Sequence, residues 1–251
     1  NYSDPAGNTG TDNTTNDGSS VTFDKTAPTL TAISVSAAND DNYTAYAYPG
    51  INVKVQFTAS EKLRSDNDSG CGSSCKSPNV YRNYCSTNHT CPQTTTASAQ
   101  SGSGGLIWLD QGSYTSVDNT SLTGDNFTFT ISYTDWAGNP GDNRSSTTDN
   151  STLVYDDVKP VLTTVSIDSD NWNTSASVAK SGDNVTLAYT VPEAMRVKPP
   201  VTKLALISYN PTTTDNITFS AVHNLTNNDS EGRIDFEILT QDIAGNQVTT
   251  T

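Results

Sequence analysis

Leu153-Val154-Tyr155-Asp156-Asp157-Val158-Lys159-Pro160-Val161-Leu162 carries an alternating apolar run into two adjacent carboxylates, then a proline, then a second alternating run. The same order occurs upstream as Val21-Thr22-Phe23-Asp24-Lys25-Thr26-Ala27-Pro28-Thr29-Leu30. Asp24 maps to Asp156 and Leu30 to Leu162, an offset of 132 residues (156 − 24) in both cases. A strand, an acidic proline-bearing linker and a fresh strand, met twice, read as the seam between repeated units.

Outward from the seams the repetition continues. Gly50-Ile-Asn-Val53-Lys-Val55-Gln-Phe57-Thr-Ala59-Ser-Glu61 aligns without a gap on Gly182-Asp-Asn-Val185-Thr-Leu187-Ala-Tyr189-Thr-Val191-Pro-Glu193. Apolar residues at every second position put one face of a strand inward and leave the other wet. Phe127-Thr-Phe129-Thr-Ile131-Ser-Tyr133 leads to Asp135 as Ile234-Asp-Phe236-Glu-Ile238 leads to Asp242, now at an offset of 107 (242 − 135). The first unit therefore holds about 25 extra residues, expected in the cysteine-bearing segment near 66–102. Residues 1–20 look like linker by composition. Yet Asp4-Pro-Ala-Gly-Asn8 repeats Asp135-Trp-Ala-Gly-Asn139 and Asp242-Ile-Ala-Gly-Asn246, and residues 19–23 read as a short strand.

No stretch shows a helical period, and many short alternating strands with Gly, Pro, Asn and Asp turns predict an all-β chain of antiparallel β-sandwiches. Residues 1–24 are expected to be the end of a preceding repeat or a strand donated to a neighbour. Residues 25–156 form the first domain, and 157–251 a second that lacks its final strand. A net charge of −14 with 13 Lys and Arg argues against a nucleic-acid or anionic-membrane partner. No apolar run approaches membrane-spanning length.

Cys71, Cys75, Cys85 and Cys91 crowd into one segment. Two local disulfides in an oxidising compartment are expected, against a four-thiolate zinc knuckle whose paired short spacings are missing. Sequons at Asn42, Asn67, Asn88, Asn119, Asn143, Asn173, Asn216 and Asn228 fall in loops or strand ends, where glycosylation is tolerated. His89 and His223 have no motif partner nearby and read as ordinary exposed histidines, so no catalytic residues are expected.

The run Phe-Asp-x-Thr-Ala-Pro-Thr-Leu, then Gly-x-x-Val-x-Val-x-Phe-Thr-Ala-Ser-Glu, then Asp-x-Ala-Gly-Asn resembles the tandem bacterial immunoglobulin-like repeats of large surface adhesins and extracellular filament proteins. The resemblance covers both units and the N-terminal tail, fails over 66–102, and departs at the second seam, where Asp157-Val158-Lys159-Pro160 replaces Thr-Ala-Pro.

A seven-strand sandwich gathers the incoming linker, the loop after its second strand and the loop after its sixth at one pole. Asp24, Glu61, Asp135 and Asn139 should meet in the first domain, and Asp156, Asp157, Glu193, Asp242 and Asn246 in the second. Two like charges 4 Å apart repel by about 4 kcal/mol at an effective dielectric of 20, so such clusters favour a cation among them. Oxygen ligands suit Ca²⁺, which the resemblance also implies at repeat junctions. The rival role for Asp-x-Ala-Gly-Asn is a turn, since Gly and Asn tolerate positive φ.

The expected function is a non-enzymatic unit of a cell-surface filament or adhesin stalk, outside the cell and joined head to tail. The joint is either a continuing covalent array or donor-strand addition through Val21 and Phe23. The alternative is a glycan- or partner-binding module presented by the cysteine-rich insert, which also carries Tyr81 and Tyr84. An accessory domain of a secreted hydrolase is a third reading.

Overall fold

A computed structural model describes residues 1–39, 43–68, 75–82, 93–113, 126–171, 176–191, 195–196 and 200–251 of the chain. These residues are all-β, with no helix among them. A small hairpin, β1 (Tyr2–Ser3) and β2 (Thr9–Gly10), opens the chain. Residues 19–23, expected as a strand, pair with no strand among the described residues. A strand with no edge to pair with has nothing to satisfy its ladder.

Two sheets follow. The first is β3 (Leu30–Ala37), β5 (Asn52–Ala59), β9 (Ile107–Ser113) and β8 (Ser98–Ala99), in that spatial order. The second is β10 (Phe129–Ser132), β6 (Asn79–Arg82) and β7 (Gln93–Thr96). One core lies between them: Ile33, Val55, Phe57 and Trp108 from the first meet Val80 and Ile131 from the second. The alternation expected at Val53, Val55, Phe57 and Ala59 is the reason β5 sits centrally, with all four buried.

The chain then passes along the free edge of β3. Ile33 N donates to Thr148 Oγ1 at 2.9 Å and Val35 N to Ser151 Oγ at 2.9 Å. Residues Val154–Tyr155 (β11) close the unit by pairing, in parallel, with β4 (Tyr46–Ala47). Leu153 and Tyr155 plug the core.

The second set repeats the central strands of the first, without a counterpart of the β4–β11 pair among the described residues and with one more strand in its second sheet. β12 (Thr164–Ser169), β13 (Asn184–Thr190), β17 (Thr218–Asn224) and β16 (Thr212–Thr213) form one sheet. β15 (Ile207–Tyr209), β14 (Val201–Leu204), β18 (Phe236–Gln241) and β19 (Gln247–Thr250) form the other. A separate core of Leu187, Tyr189, Val191, Phe219, Leu204 and Ile238 fills the space between. We refer to the two sets as the first and second bodies; both have the layout of a β-sandwich.

Register locates the extra residues of the first body. Ile131 faces Val80 as Ile238 faces Thr202, so β6 and β14 are offset by 122 (202 − 80) rather than 132. Val80 faces Thr95 as Thr202 faces Tyr209, an offset of 114 (209 − 95). Trp108 and Phe219, facing Phe57 and Tyr189, are offset by 111 (219 − 108). The surplus is thus spread over several loops. The segment 66–102 is not a single insertion, because β6, β7 and β8 are scaffold strands within it.

Candidate functional site

The Asp-x-Ala-Gly-Asn stretches adopt one hydrogen-bonded turn three times. In the first body Asp135 Oδ1 accepts from the N–H groups of Gly138 (2.6 Å) and Asn139 (2.8 Å), and Oδ2 accepts from Asn139 Nδ2 (2.7 Å). Asp242 does the same with Gly245 (2.7 Å), Asn246 (2.9 Å) and Asn246 Nδ2 (2.9 Å). Asp4 holds Asn8 through N–H (3.0 Å) and Nδ2 (2.8 Å). Gly138 at φ 102° and Gly245 at φ 118° occupy the left-handed region that a Cβ disfavours.

The amide of each Asn then reaches the incoming linker. Asn139 Nδ2 lies 3.3 Å from the carbonyls of both Asp24 and Thr26, and Asn246 Nδ2 donates to the Asp156 carbonyl at 3.0 Å. The linker aspartates contribute a backbone oxygen to this clamp. Their side chains cap their own bend instead, Asp24 Oδ1 accepting from Thr26 N (2.9 Å) and Asp156 Oδ1 from Val158 N (3.0 Å).

Asp24, Glu61 and Asp135 do converge, with one oxygen of each within 4.8 Å of the others. Burial, then the negative charges of Asp24 and Asp135, push the Glu61 carboxyl above its ordinary value. Burial pushes Asp135 up as well, but the bonds from Asn139 and the turn N–H groups outweigh it and leave its carboxyl below the ordinary range. Both Asp135 oxygens and one of Asp24 serve the turns, so Glu61 and the outer Asp24 oxygen are the donors best placed for a hard cation. In the second body Glu193 lies outside the described residues. Asp156, Asp157 and Asp242 form no comparable triple among those described.

Residues that the sequence reading did not single out build the contact between the bodies. Arg196 Nη1 donates to Asn39 Oδ1 at 2.6 Å, its guanidinium stands 4.6 Å from the Tyr43 ring centre, and Tyr43 Oη bonds the Arg196 carbonyl at 3.3 Å. Asn39 Nδ2 donates to the Ala244 carbonyl at 2.8 Å. A Cβ on Gly245 would stand 2.7 Å from the Tyr48 ring, so first-body loops lie directly on the second-body turn. The signal was present: Arg64 aligns with Arg196 at the same 132 offset (196 − 64), beside Leu63 and Met195, which bridge Asp135 and Asp242. Arg64 spreads over Gly138 at the exposed first pole.

Cys75 is buried and disulfide-bonded, which takes its thiolate away from a zinc site; Cys71, Cys85 and Cys91 lie outside the described residues. Asn67, Asn143, Asn216 and Asn228 are exposed, whereas Asn42, Asn88, Asn119 and Asn173 lie outside, as do His89 and Tyr84. His223 departs from expectation. It is buried, with Tyr209 Oη 2.6 Å from Nδ1 and Asp229 Oδ1 3.0 Å from Nε2, so both ring nitrogens are occupied by structural partners. No family model matches the chain, and a search of the curated proteins finds no match.

Proposed function

We propose that the chain is a non-enzymatic structural unit of an extracellular filament or adhesin stalk, in which tandem immunoglobulin-like sandwiches are joined head to tail. The observation that carries this reading is the joint itself. A side-chain amide in the second body grips the linker backbone, while Arg196, Asn39, Tyr43 and Tyr48 fasten the two poles end to end. A joint that specific fixes an angle between units, which a stalk needs and a flexible tether does not. The sheet order, four strands against three or four, together with the closing segment along the edge of the first body, supports the immunoglobulin-like assignment.

Calcium belongs to this reading at the first pole, held by Glu61 and Asp24 beside Asp135. The ion would supply positive charge that relieves the repulsion raising the Glu61 carboxyl. It would stiffen a pole that is already a good turn.

Immunogold labelling of intact producing cells tests the function. Label running along surface fibres or stalks, lost when the coding sequence is deleted, is expected. Label confined to the cell interior would end the proposal.

A further inference from the structure

Residues 15–24 reproduce, in the open, the segment that closes the first body. Aligned at the 132 offset, Thr15-Asn-Asp-Gly-Ser-Ser-Val-Thr-Phe-Asp24 matches Thr147-Thr-Asp-Asn-Ser-Thr-Leu-Val-Tyr-Asp156. The match is conformational as well. Thr147 Oγ1 donates to the Ser151 carbonyl, and Thr15 Oγ1 to the Ser19 carbonyl. Asp149 Oδ1 accepts from Ser151 N at 2.9 Å, and Asp17 Oδ1 from Ser19 N at 3.0 Å. Asn150 and Gly18, at equivalent places, both take positive φ, 60° and 72°. The surroundings differ. Leu153 and Tyr155 are core residues, whereas their counterparts Val21 and Phe23 are 98% and 87% exposed.

The second body shows the complementary feature. Ile33 and Val35, beneath residues 147–155, are 1% and 6% exposed; their counterparts Val165 and Ile167 on β12 are 37% and 36% exposed. Beside β12 runs a groove of about 650 Å³ lined by Ile167, Val178, Ala179, Leu225, Ile234 and Phe236. Val178 and Ala179 are the counterparts of Tyr46 and Ala47, the residues that β11 pairs with in parallel.

We infer that the segment 13–24 of one copy of this chain inserts into the β12 groove of the second body of another copy. The register follows from the first body: Ser19 against Ile167, and Thr22–Phe23 in parallel against Val178–Ala179, with Val21 and Phe23 entering the core as Leu153 and Tyr155 do. Main-chain bonds to the edge and two apolar side chains in the groove make this a strand-addition joint. The inserted segment is pre-shaped, so less ordering entropy opposes binding. The inference deepens the head-to-tail reading and rests on it: it names the surface through which separate copies join.

Light scattering on the purified 251-residue chain provides the test. Mass rising with concentration through dimers and longer oligomers is expected. Val21→Asp with Phe23→Asp changes exposed positions, so the chain should fold and stay monomeric. A fluorescent peptide of residues 13–24 should bind that variant saturably, and the same peptide with both aspartates roughly 100-fold more weakly, from the loss of two buried apolar side chains. Mixing the donor variant with an Ile167→Glu groove variant should give heterodimers that grow no further. Oligomers that persist unchanged in the Val21/Phe23 variant would overturn this joint while leaving head-to-tail stacking intact. A chain monomeric throughout, with a groove that ignores the peptide, would overturn both.

Discussion

Asp135 and Asp242 hold the same turn with the same bonds, yet their carboxyls shift in opposite directions. Both side chains are buried in the chain as a whole. Asp135 stays below its ordinary range because its hydrogen bonds outweigh its desolvation. Asp242 is pushed above it, by burial first, with the bonds from Asn246 and Gly245 pulling the other way and the charge of Asp156 adding to the rise. The physical difference is the neighbour: first-body loops lie on the Asp242 turn, through Asn39 and Tyr48, and none of those described lies on the Asp135 turn in the same way. Where the other sandwich lies on the turn, desolvation outweighs the same set of hydrogen bonds.

The same side-by-side reading gives the largest expected effect in the core. Arg82 and Asp110 form a buried ion pair between the two sheets of the first body, with Arg82 Nε 2.6 Å from Asp110 Oδ2. The residues in their register positions in the second body are Leu204 and Ala221, both buried. Asp110→Ala alone should destabilise the first body by about 3–5 kcal/mol, because it strands a buried guanidinium. Arg82→Leu together with Asp110→Ala should recover most of that loss, since the second body already packs this way. Denaturant unfolding of the three chains measures both effects; a double variant as weak as the single one would show that the bodies are not interchangeable here.

Gly245→Ala and Gly138→Ala come next. Each forces a Cβ onto positive φ and should cost about 1–3 kcal/mol. At Gly138 the new methyl meets the flexible end of Arg64; at Gly245 it meets the Tyr48 ring. Small-angle scattering should therefore show a changed angle or spacing between the bodies for Gly245→Ala and none for Gly138→Ala. Asn39→Ala should cost about 1 kcal/mol by unmaking its bonds to Ala244 and Arg196, and should likewise show in scattering.

Two smaller effects concern charge. For Asp135, native pKa below the unfolded one, stability is present above the unfolded value and is lost as pH falls through the lowered one. For Asp242 the native state holds its proton longer, so its contribution is favourable at low pH and disappears as pH rises from the ordinary value through the raised one. Melting curves of Asp135→Ala and Asp242→Ala chains across acid pH, each subtracted from the parent, should slope in opposite directions. Calcium should raise the melting temperature of the first body, and Glu61→Gln should abolish the increment. No change on adding or chelating calcium would remove the ion from the first pole.

Strand positions, the repeat offset and the meeting of Asp24, Glu61 and Asp135 were legible because alternation and repetition are local properties of the sequence. The use of the Asp135 oxygens was not, because whether a carboxylate serves a turn or a cation depends on which N–H groups converge on it. Arg82 was invisible as a core residue, since a lone arginine in a cysteine-rich segment gives no sign of a buried Asp110 on the opposite sheet. His223 read as exposed because its partners, Tyr209 and Asp229, come from a neighbouring sheet and a loop. The strand at 19–23 was misread for the converse reason: its alternation is real, but pairing requires an edge that the sequence does not supply nearby.

The path of residues 147–156 along β3 has a mechanical consequence. The first strand of the body and its closing segment run in parallel, so the chain enters and leaves at opposite poles. Tension applied along the chain pulls these two antagonistically lengthwise. The bonds Thr148 to Ile33, Ser151 to Val35, Val154 to Ala45 and Asp156 to Ala47 are then loaded together, in shear, instead of opening one by one like a zip. A body closed in this manner yields late under force. A strand filling the groove beside β12 would give the second body the same clamp, and the proposed joint between copies would then also be the catch that lets that sandwich bear load.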